Sequence, residues 1–302
     1  MKRWLIVLAA ILASTTAIGA GGSSLTVTLA AEATPAERTA AEELVHYLEK
    51  ATSKTVRLRV ENGTGDDRSI HVGPTARARA AGPDPSGLAP EEWVILSHDG
   101  SLFLYGGRPR GTLYAVFRFL EDHVGVRWWT PRDELVPRLR ALALQGIDRR
   151  GRPAFVYRDI FGVDGPRRFH ALNRLNGHFS LLPESYGGAE SYGPPRHVHN
   201  FFDYIPPDIF FGSNPEFFSE MAGLRYGGHA QLCLTNPELL GVVRDKLVQH
   251  IESSPAHLFS FSPNDWGGAC ECESCRAFAS KVGGQSGPLV HFINRLAESI
   301  GE

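Results

Sequence analysis

Between residues 153 and 302 the sequence alternates in character, and that rhythm constrains the fold more than any other feature. Apolar runs appear at AFVYRDIFG (154–162), HFSLL (178–182), HVHNFFDYI (197–205), AQLCLTN (230–236) and HLFSFSPND (257–265). Helical patterns follow at PRRFHALNRLN (166–176), PEFFSEMAG (215–223), PELLGVVRDKLVQHIESS (237–254) and SGPLVHFINRLAESIGE (286–302). Strand–helix alternation predicts parallel β/α units and an α/β fold. In such units functional side chains cluster at the C-terminal ends of strands. The expected strand ends carry Arg158 and Asp159, His199 and Asn200, Asn236, and Asn264 and Asp265. A closed (β/α)₈ barrel takes about 250 residues and eight units. Five units predict a partial, C-terminally truncated TIM-type barrel, with any second catalytic carboxylate beyond residue 302.

The preceding stretch has a different pattern. LTVTLA (25–30), TVRLRV (55–60) and SIHVG (69–73) read as strands, and WVILSHDGSLFLYGG (93–107) as a hairpin turning at Asp99-Gly100. PAERTAAEELVHYLEKAT (35–52) and RGTLYAVFRFLEDHVG (110–125) read as amphipathic helices, the second closed by Gly125. Residues 25–145 thus form a small α+β domain. The polar, Pro/Gly-containing QGIDRRGRPAF (145–155) is the expected boundary with the region 153–302.

The chain opens MKRWLIVLAAILASTTAIGAGG. Two basic residues, a short apolar run and then small residues make residues 1–20 an expected signal peptide, cleaved near Ala17-Ile18-Gly19 or after Ala20. The expected location is secreted or periplasmic. No later stretch is long enough to span a membrane. A net charge of -2 gives no electrostatic footprint for nucleic acid or an anionic membrane. Oligomeric state cannot be read from these features.

Two stretches carry a resemblance. YGGRPRGTLYAVFRFLEDHVGVRWWTPRDELVP (105–137) resembles the small domain that precedes the barrel in glycoside hydrolase family 20 hexosaminidases and family 67 α-glucuronidases. FVYRD (155–159), His-x-His-Asn (197–200), PEFFSEMAG, QLCLTNPEL (231–239) and the SPND–CxCxxC–RAF stretch resemble the bacterial family called domain of unknown function 4838. The resemblance implies a TIM-barrel glycosidase-like protein acting on a polysaccharide or glycan. The adjacent Asp-Glu pair of family 20 chemistry is absent from the expected strand ends; Asp133-Glu134 lies in the small domain.

Glycoside hydrolysis usually needs two carboxyl groups flanking the scissile bond. Asp265 is the best visible candidate, as a catalytic acid or base, a substrate contact, or a structural cap. Asn264 could hydrogen-bond a sugar hydroxyl, and Trp266 could offer its ring to a sugar face. Arg158 could clamp a substrate carboxylate, or it could bridge to Asp159 internally. His197 and His199 would share one face of a strand. His199 could contact sugar or the pair could begin a metal site. Asn200 and Asn236 complete the substrate-binding set, Asn236 also reading as a helix N-cap before Pro237. The alternative to hydrolysis is glycan binding without cleavage, on the same scaffold.

The four cysteines are Cys233, Cys270, Cys272 and Cys275. C-x-C-x-x-C spacing suits a structural zinc site, and export suits disulfides. Both readings, and free thiols, stay open. No cofactor is expected in catalysis.

Overall fold

The fold is that of a computed structural model, described for residues 25–63, 69–161, 165 and 167–301. The expected signal peptide lies outside the described residues. The chain divides into two compact units, one ending at Glu190 and one beginning at Ser191.

The first unit is built on a six-stranded mixed sheet. Its strands are β1 (Leu25–Leu29), β2 (Val56–Val60), β3 (Ile70–Val72), β4 (Trp93–His98), β5 (Ser101–Gly106) and, after the short pair β6 (Arg127–Trp128) and β7 (Glu134–Leu135), β8 (Asp148–Gly151). The order is β2-β1-β3-β5-β4-β8. Strands β2, β1, β3 and β5 pair in parallel, and β4 pairs antiparallel with β5 and β8. Strand β8 falls inside the polar segment 145–155.

Three helices belong to this sheet: α1 (Pro35–Thr52), α2 (Ala76–Ala81) and α3 (Gly111–Phe119). Helix α1 starts with a reciprocal cap, Thr34 accepting from the Glu37 N–H while the Glu37 carboxylate accepts from the Thr34 N–H. Strand side chains alternate between faces. Leu102 and Leu104 join Leu44, Leu48, Leu113 and Phe117 in the main core. Phe103 and Tyr105 pack on the other face with Val94 and Ala78. The hairpin turns at Asp99 and Gly100, both with positive φ (46° and 76°), as the Asp-Gly pair requires. Gly125, at φ 89°, ends the helical segment that continues α3.

Where β5 enters α3, the chain passes backbone against backbone. A Cβ on Gly106 would stand 2.2 Å from the Glu92 carbonyl oxygen, and one on Gly107 1.9 Å from that of Ala89. This contact carries Glu91 (φ 62°) into the interior. Glu91 Oε1 accepts from Arg110 Nε (2.6 Å), Tyr114 OH (2.9 Å), Arg158 Nη2 (3.0 Å) and Asn176 Nδ2 (3.0 Å). Burial raises the Glu91 pKa, but the hydrogen bonds from Arg158 and Arg110 outweigh it and hold the carboxyl below its usual range. His71 is a second buried polar group, set between Ser69 Oγ (3.1 Å) and Thr75 Oγ1 (3.4 Å) and stacked on Phe103. Burial, with Arg77 and Arg59 nearby, lowers its pKa to about 4.

The two outer strands of the sheet carry charged side chains, on β2 beside the exposed Leu58 and Val60. Arg57 and Arg59 stand on β2, and the exposed Asp148, Arg149 and Arg150 on β8.

Helix α4 (Arg167–Leu172) is the last described α-helix of the first unit. The second unit holds α5 (Phe201–Tyr204), α6 (Pro207–Phe210), the hairpin β9 (Glu220–Met221) and β10 (Leu224–Arg225), α7 (Pro237–Glu252), α8 (Glu273–Val282) and α9 (Gly287–Ile300). Its core is aromatic and aliphatic: Phe201, Tyr204, Phe218 and Phe261 with Leu239, Val243, Phe292 and Leu296.

The expected parallel units are corrected here. Among the described residues, none of the five apolar runs forms a strand of a ladder. Residues His178–Ser180 are a 3₁₀ turn, and Phe201–Tyr204 is helical. The fourth and fifth runs carry only isolated bridges, Phe218 with Leu232 and Tyr192 with Leu258. Side-chain amides take the place of neighbouring strands. Asn200 Nδ2 donates to the Arg196 and Ser260 carbonyls while its Oδ1 accepts from the Ser262 N–H. Asn176 does the same around Arg158, accepting from its N–H at 2.9 Å and donating to the Val156 carbonyl at 2.8 Å. Backbone groups satisfied in this way need no ladder. What remains shown is a mixed α/β chain with a parallel-rich sheet. The helix expected at 215–223 is also corrected. It is a 3₁₀ turn at Pro215–Phe217 followed by the β9–β10 hairpin, because Ala222 and Gly223 take positive φ (49° and 80°) and reverse the chain.

Candidate functional site

The expected site residues divide between the two units. Arg158 and Asp159 belong to the first. Arg158 does not bridge to Asp159. Its guanidinium donates to Glu91, to the Tyr114 hydroxyl (2.8 Å) and to the Arg174 carbonyl (2.7 Å). Asp159 instead gathers Tyr157 OH, Phe179 N–H and Ser180 Oγ, at 2.9, 2.7 and 3.0 Å.

The second unit brings together His199, Asn200, Asn264, Asp265 and Trp266. His199 is exposed at φ 56°, its N–H donating to Ser262 Oγ (2.8 Å) and its Nδ1 3.0 Å from the Pro263 carbonyl. His197 and His199 lie in an irregular bend, not on one face of a strand. Asn264 is buried. Its Nδ2 donates to the Ala230 carbonyl at 3.1 Å, and its N–H donates to Gln231 Oε1 at 2.9 Å. Asp265 is exposed. Trp266 is 42% exposed, its indole N–H donating to the Ala230 carbonyl and its ring stacked on His229 at 5.3 Å. Asn236 caps α7, its Oδ1 accepting from the N–H groups of Glu238 (2.9 Å) and Leu239 (3.1 Å).

Behind Trp266 lies a largely apolar cavity of about 210 Å³. Phe201, Leu232, Leu234, Pro288 and Leu289 form much of it, and Gln231 offers a polar edge. Cys270 and Cys275 belong to its wall.

Those cysteines meet Cys233 and Cys272 in one buried cluster. The four sulfurs lie within 4.8 Å of one another and are unbonded. Cys233 Sγ is 3.7 Å from Cys272 Sγ and 3.8 Å from Cys275 Sγ. Hydrogen bonds from Cys270 and Cys275, and one from Arg225, hold the Cys233 thiol far below its ordinary pKa. The hydrogen bond that Cys270 makes to Cys233 pushes the Cys270 thiol up to about 11. A cluster of this kind could bind a metal such as zinc. Among the described residues, no group of three or more His, Cys, Asp and Glu other than this one is placed to hold a metal ion.

Sequence reasoning missed Gln231, whose side chain organises the 264–267 segment, and Arg225, whose guanidinium reaches the sulfurs. A glutamine inside an apolar run was the available signal for the first. For the second there was none, because the helix expected over 215–223 hid the turn that brings β10 back on β9.

Residues 128–302 match the family model described as Domain of unknown function (DUF4838). The chain belongs to that family. The DUF4838 match contains the whole cysteine cluster and the Asn264–Trp266 segment. Among solved structures, the chain is similar to a novel family GH115 4-O-methyl-α-glucuronidase, BtGH115A, with specificity for decorated arabinogalactans. The TM-score is 0.43 and the identity 16%. That likeness covers 76% of this DUF4838 chain and 40% of the glucuronidase chain. No curated protein matches the chain. No helix among the described residues is long and apolar enough to cross a membrane.

Proposed function

We propose that this is an exported, glycoside-hydrolase-like protein that acts on a polysaccharide or glycan by carboxylate acid/base hydrolysis. The scaffold proposed is a small α+β domain followed by a glycosidase-like region over 153–302. The observation that carries the reading is an exposed carboxylate, Asp265, next in the chain to Trp266, an exposed indole that lines an apolar cavity. An indole face matches the C–H face of a pyranose and excludes water from it. Asp265 would serve as one carboxyl of the hydrolytic pair. His199, exposed beside Pro263, would take a sugar hydroxyl. Asn200, Asn236 and Asn264, with their amides engaged by backbone, would hold the surrounding chain in place. Arg158 and Asp159 are proposed to support the first unit. The hydrolysis uses no cofactor.

One observation favours a second reading, glycan binding without cleavage: the residues lining the cavity include no aspartate or glutamate. A polysaccharide panel assayed with the wild type, Asp265→Asn and Trp266→Ala separates the two. Reducing-sugar release that disappears in Asp265→Asn supports hydrolysis. Retention of glycan by the wild type without release, weakened in Trp266→Ala, supports binding. Neither release nor retention on any glycan removes both readings.

A further inference from the structure

We propose that Cys233, Cys270, Cys272 and Cys275 hold one zinc ion as a closed tetrathiolate, and that this ion fixes the segment carrying Asp265 and Trp266. The assignment stands apart from the glycan reading and does not depend on it.

Geometry comes first. Zinc–sulfur bonds of about 2.3 Å in a tetrahedron place neighbouring sulfurs about 3.8 Å apart. The separations from Cys233 to Cys272 and Cys275 are 3.7 and 3.8 Å. A disulfide needs sulfurs about 2.05 Å apart.

The surroundings of the sulfurs give a second, independent argument. The Glu220 N–H donates to Cys270 Sγ at 3.4 Å, and Arg225 Nη1 approaches the same sulfur at 3.6 Å. Thr235 Oγ1 lies 3.1 Å from Cys275 Sγ. A neutral thiol is a weak acceptor, whereas a metal-bound thiolate is a good one. Cys272 is the N-cap residue of α8 and Cys275 stands in its first turn, where the helix end favours negative sulfur. A zinc tetrathiolate carries two negative charges, and the Arg225 guanidinium offsets one of them. Arg225 is itself held by the Phe218 carbonyl (2.8 Å) and Glu220.

Four thiolates and no oxygen or imidazole select a soft or borderline ion over magnesium or calcium. Four protein ligands leave no open position, so the ion is structural and not catalytic. Its mechanical role follows from where the ligands sit. Cys233 precedes α7, and Cys272 and Cys275 begin α8. The ion ties the two helix starts together, and the irregular segment 264–271 runs into that knot.

The test uses the whole chain, purified without chelator. Elemental analysis is expected to find about one zinc per chain, and thiol titration of the denatured, chelated protein is expected to find all four cysteines reduced. Zinc exchanged for cobalt(II) is expected to give the intense visible absorption of a tetrahedral cobalt thiolate. Arg225→Gln is expected to weaken zinc binding about 10–100-fold while leaving the stoichiometry unchanged. Hydrogen exchange over 264–276 is expected to accelerate when zinc is removed. Cysteines paired as disulfides, four free thiols without metal, or iron in place of zinc would each overturn the assignment. Unchanged exchange after metal removal would overturn the bracing role. The cobalt spectrum of the wild type decides the geometry even if a cysteine variant fails to fold.

Discussion

Gln231 and Asn264 bind each other through side chain and backbone in both directions. The Asn264 N–H donates to Gln231 Oε1 at 2.9 Å, and Gln231 Nε2 donates to the Asn264 carbonyl at 3.0 Å. The same Nε2 reaches the Trp266 carbonyl at 2.6 Å. One glutamine side chain therefore does the hydrogen bonding that a neighbouring strand would do.

Replacing that glutamine by alanine leaves a buried N–H and carbonyls without partners. Gln231→Ala is expected to cost about 1–3 kcal/mol of unfolding free energy. Urea denaturation measures the loss, and hydrogen exchange should localise it to residues 264–268.

Asn236 offers a test of capping against ligand contact. Asn236→Ala should lower stability by about 1 kcal/mol, and Asn236→Asp should restore most of it, because an aspartate oxygen accepts the same two N–H bonds. A glycan affinity that follows stability across this pair marks the residue as a cap. An affinity lost in both variants marks it as a sugar contact.

Glu91 compensates two guanidiniums, the buried one of Arg110 and the partly buried one of Arg158. Glu91→Ala leaves Arg158 without its carboxylate and Arg110 with Glu190 alone, and should destabilise the first unit by about 3–5 kcal/mol. Its folded pKa is depressed. The stability it confers is therefore complete above its unfolded pKa of about 4.3 and fades as the pH falls through the lower folded value. Acid titration of circular dichroism should show the wild type losing stability on acidification below about pH 4.3, with this component absent in Glu91→Gln.

His71 has the opposite chemistry and the same direction. The fold keeps it neutral down to about pH 4, whereas the unfolded chain takes up its proton near pH 6.5, roughly. Its contribution is complete above the unfolded pKa and declines as the pH falls towards the folded one. The decline amounts to about 3 kcal/mol at most. Chemical denaturation at neutral and mildly acidic pH measures it, and His71→Gln should flatten the slope.

The parts of this fold legible in the sequence were those with local causes. Asp99-Gly100 dictates a hairpin turn, Asn236-Pro237 a helix start and Gly125 a helix end, and each sits where its chemistry requires. The family resemblance over the second half was legible from the cysteine stretch and QLCLTNPEL. The irregular course of the five apolar runs was not, because an apolar run does not reveal what satisfies its backbone. Asn176, Asn200 and Gln231 do so from distant positions in the chain. The convergence of Cys233 on the other three cysteines is one of several arrangements that the spacing of the four allows. Glu91 gave no signal, since its burial depends on the glycine contact at Gly106 and Gly107 and on arginines far along the chain.

The charged side chains on the outer strands have a consequence for crowding. A sheet edge is a template on which another copy can continue the hydrogen-bonding pattern. Here a copy approaching β2 would meet Arg57 and Arg59, and one approaching β8 would meet Asp148, Arg149 and Arg150. Stacking β2 on β2 would set arginines against arginines. Charge thus opposes continuation of the sheet most strongly at β8, while at β2 it acts beside the exposed Leu58 and Val60, so chains packed densely together would be discouraged from growing into a fibril chiefly through the β8 side.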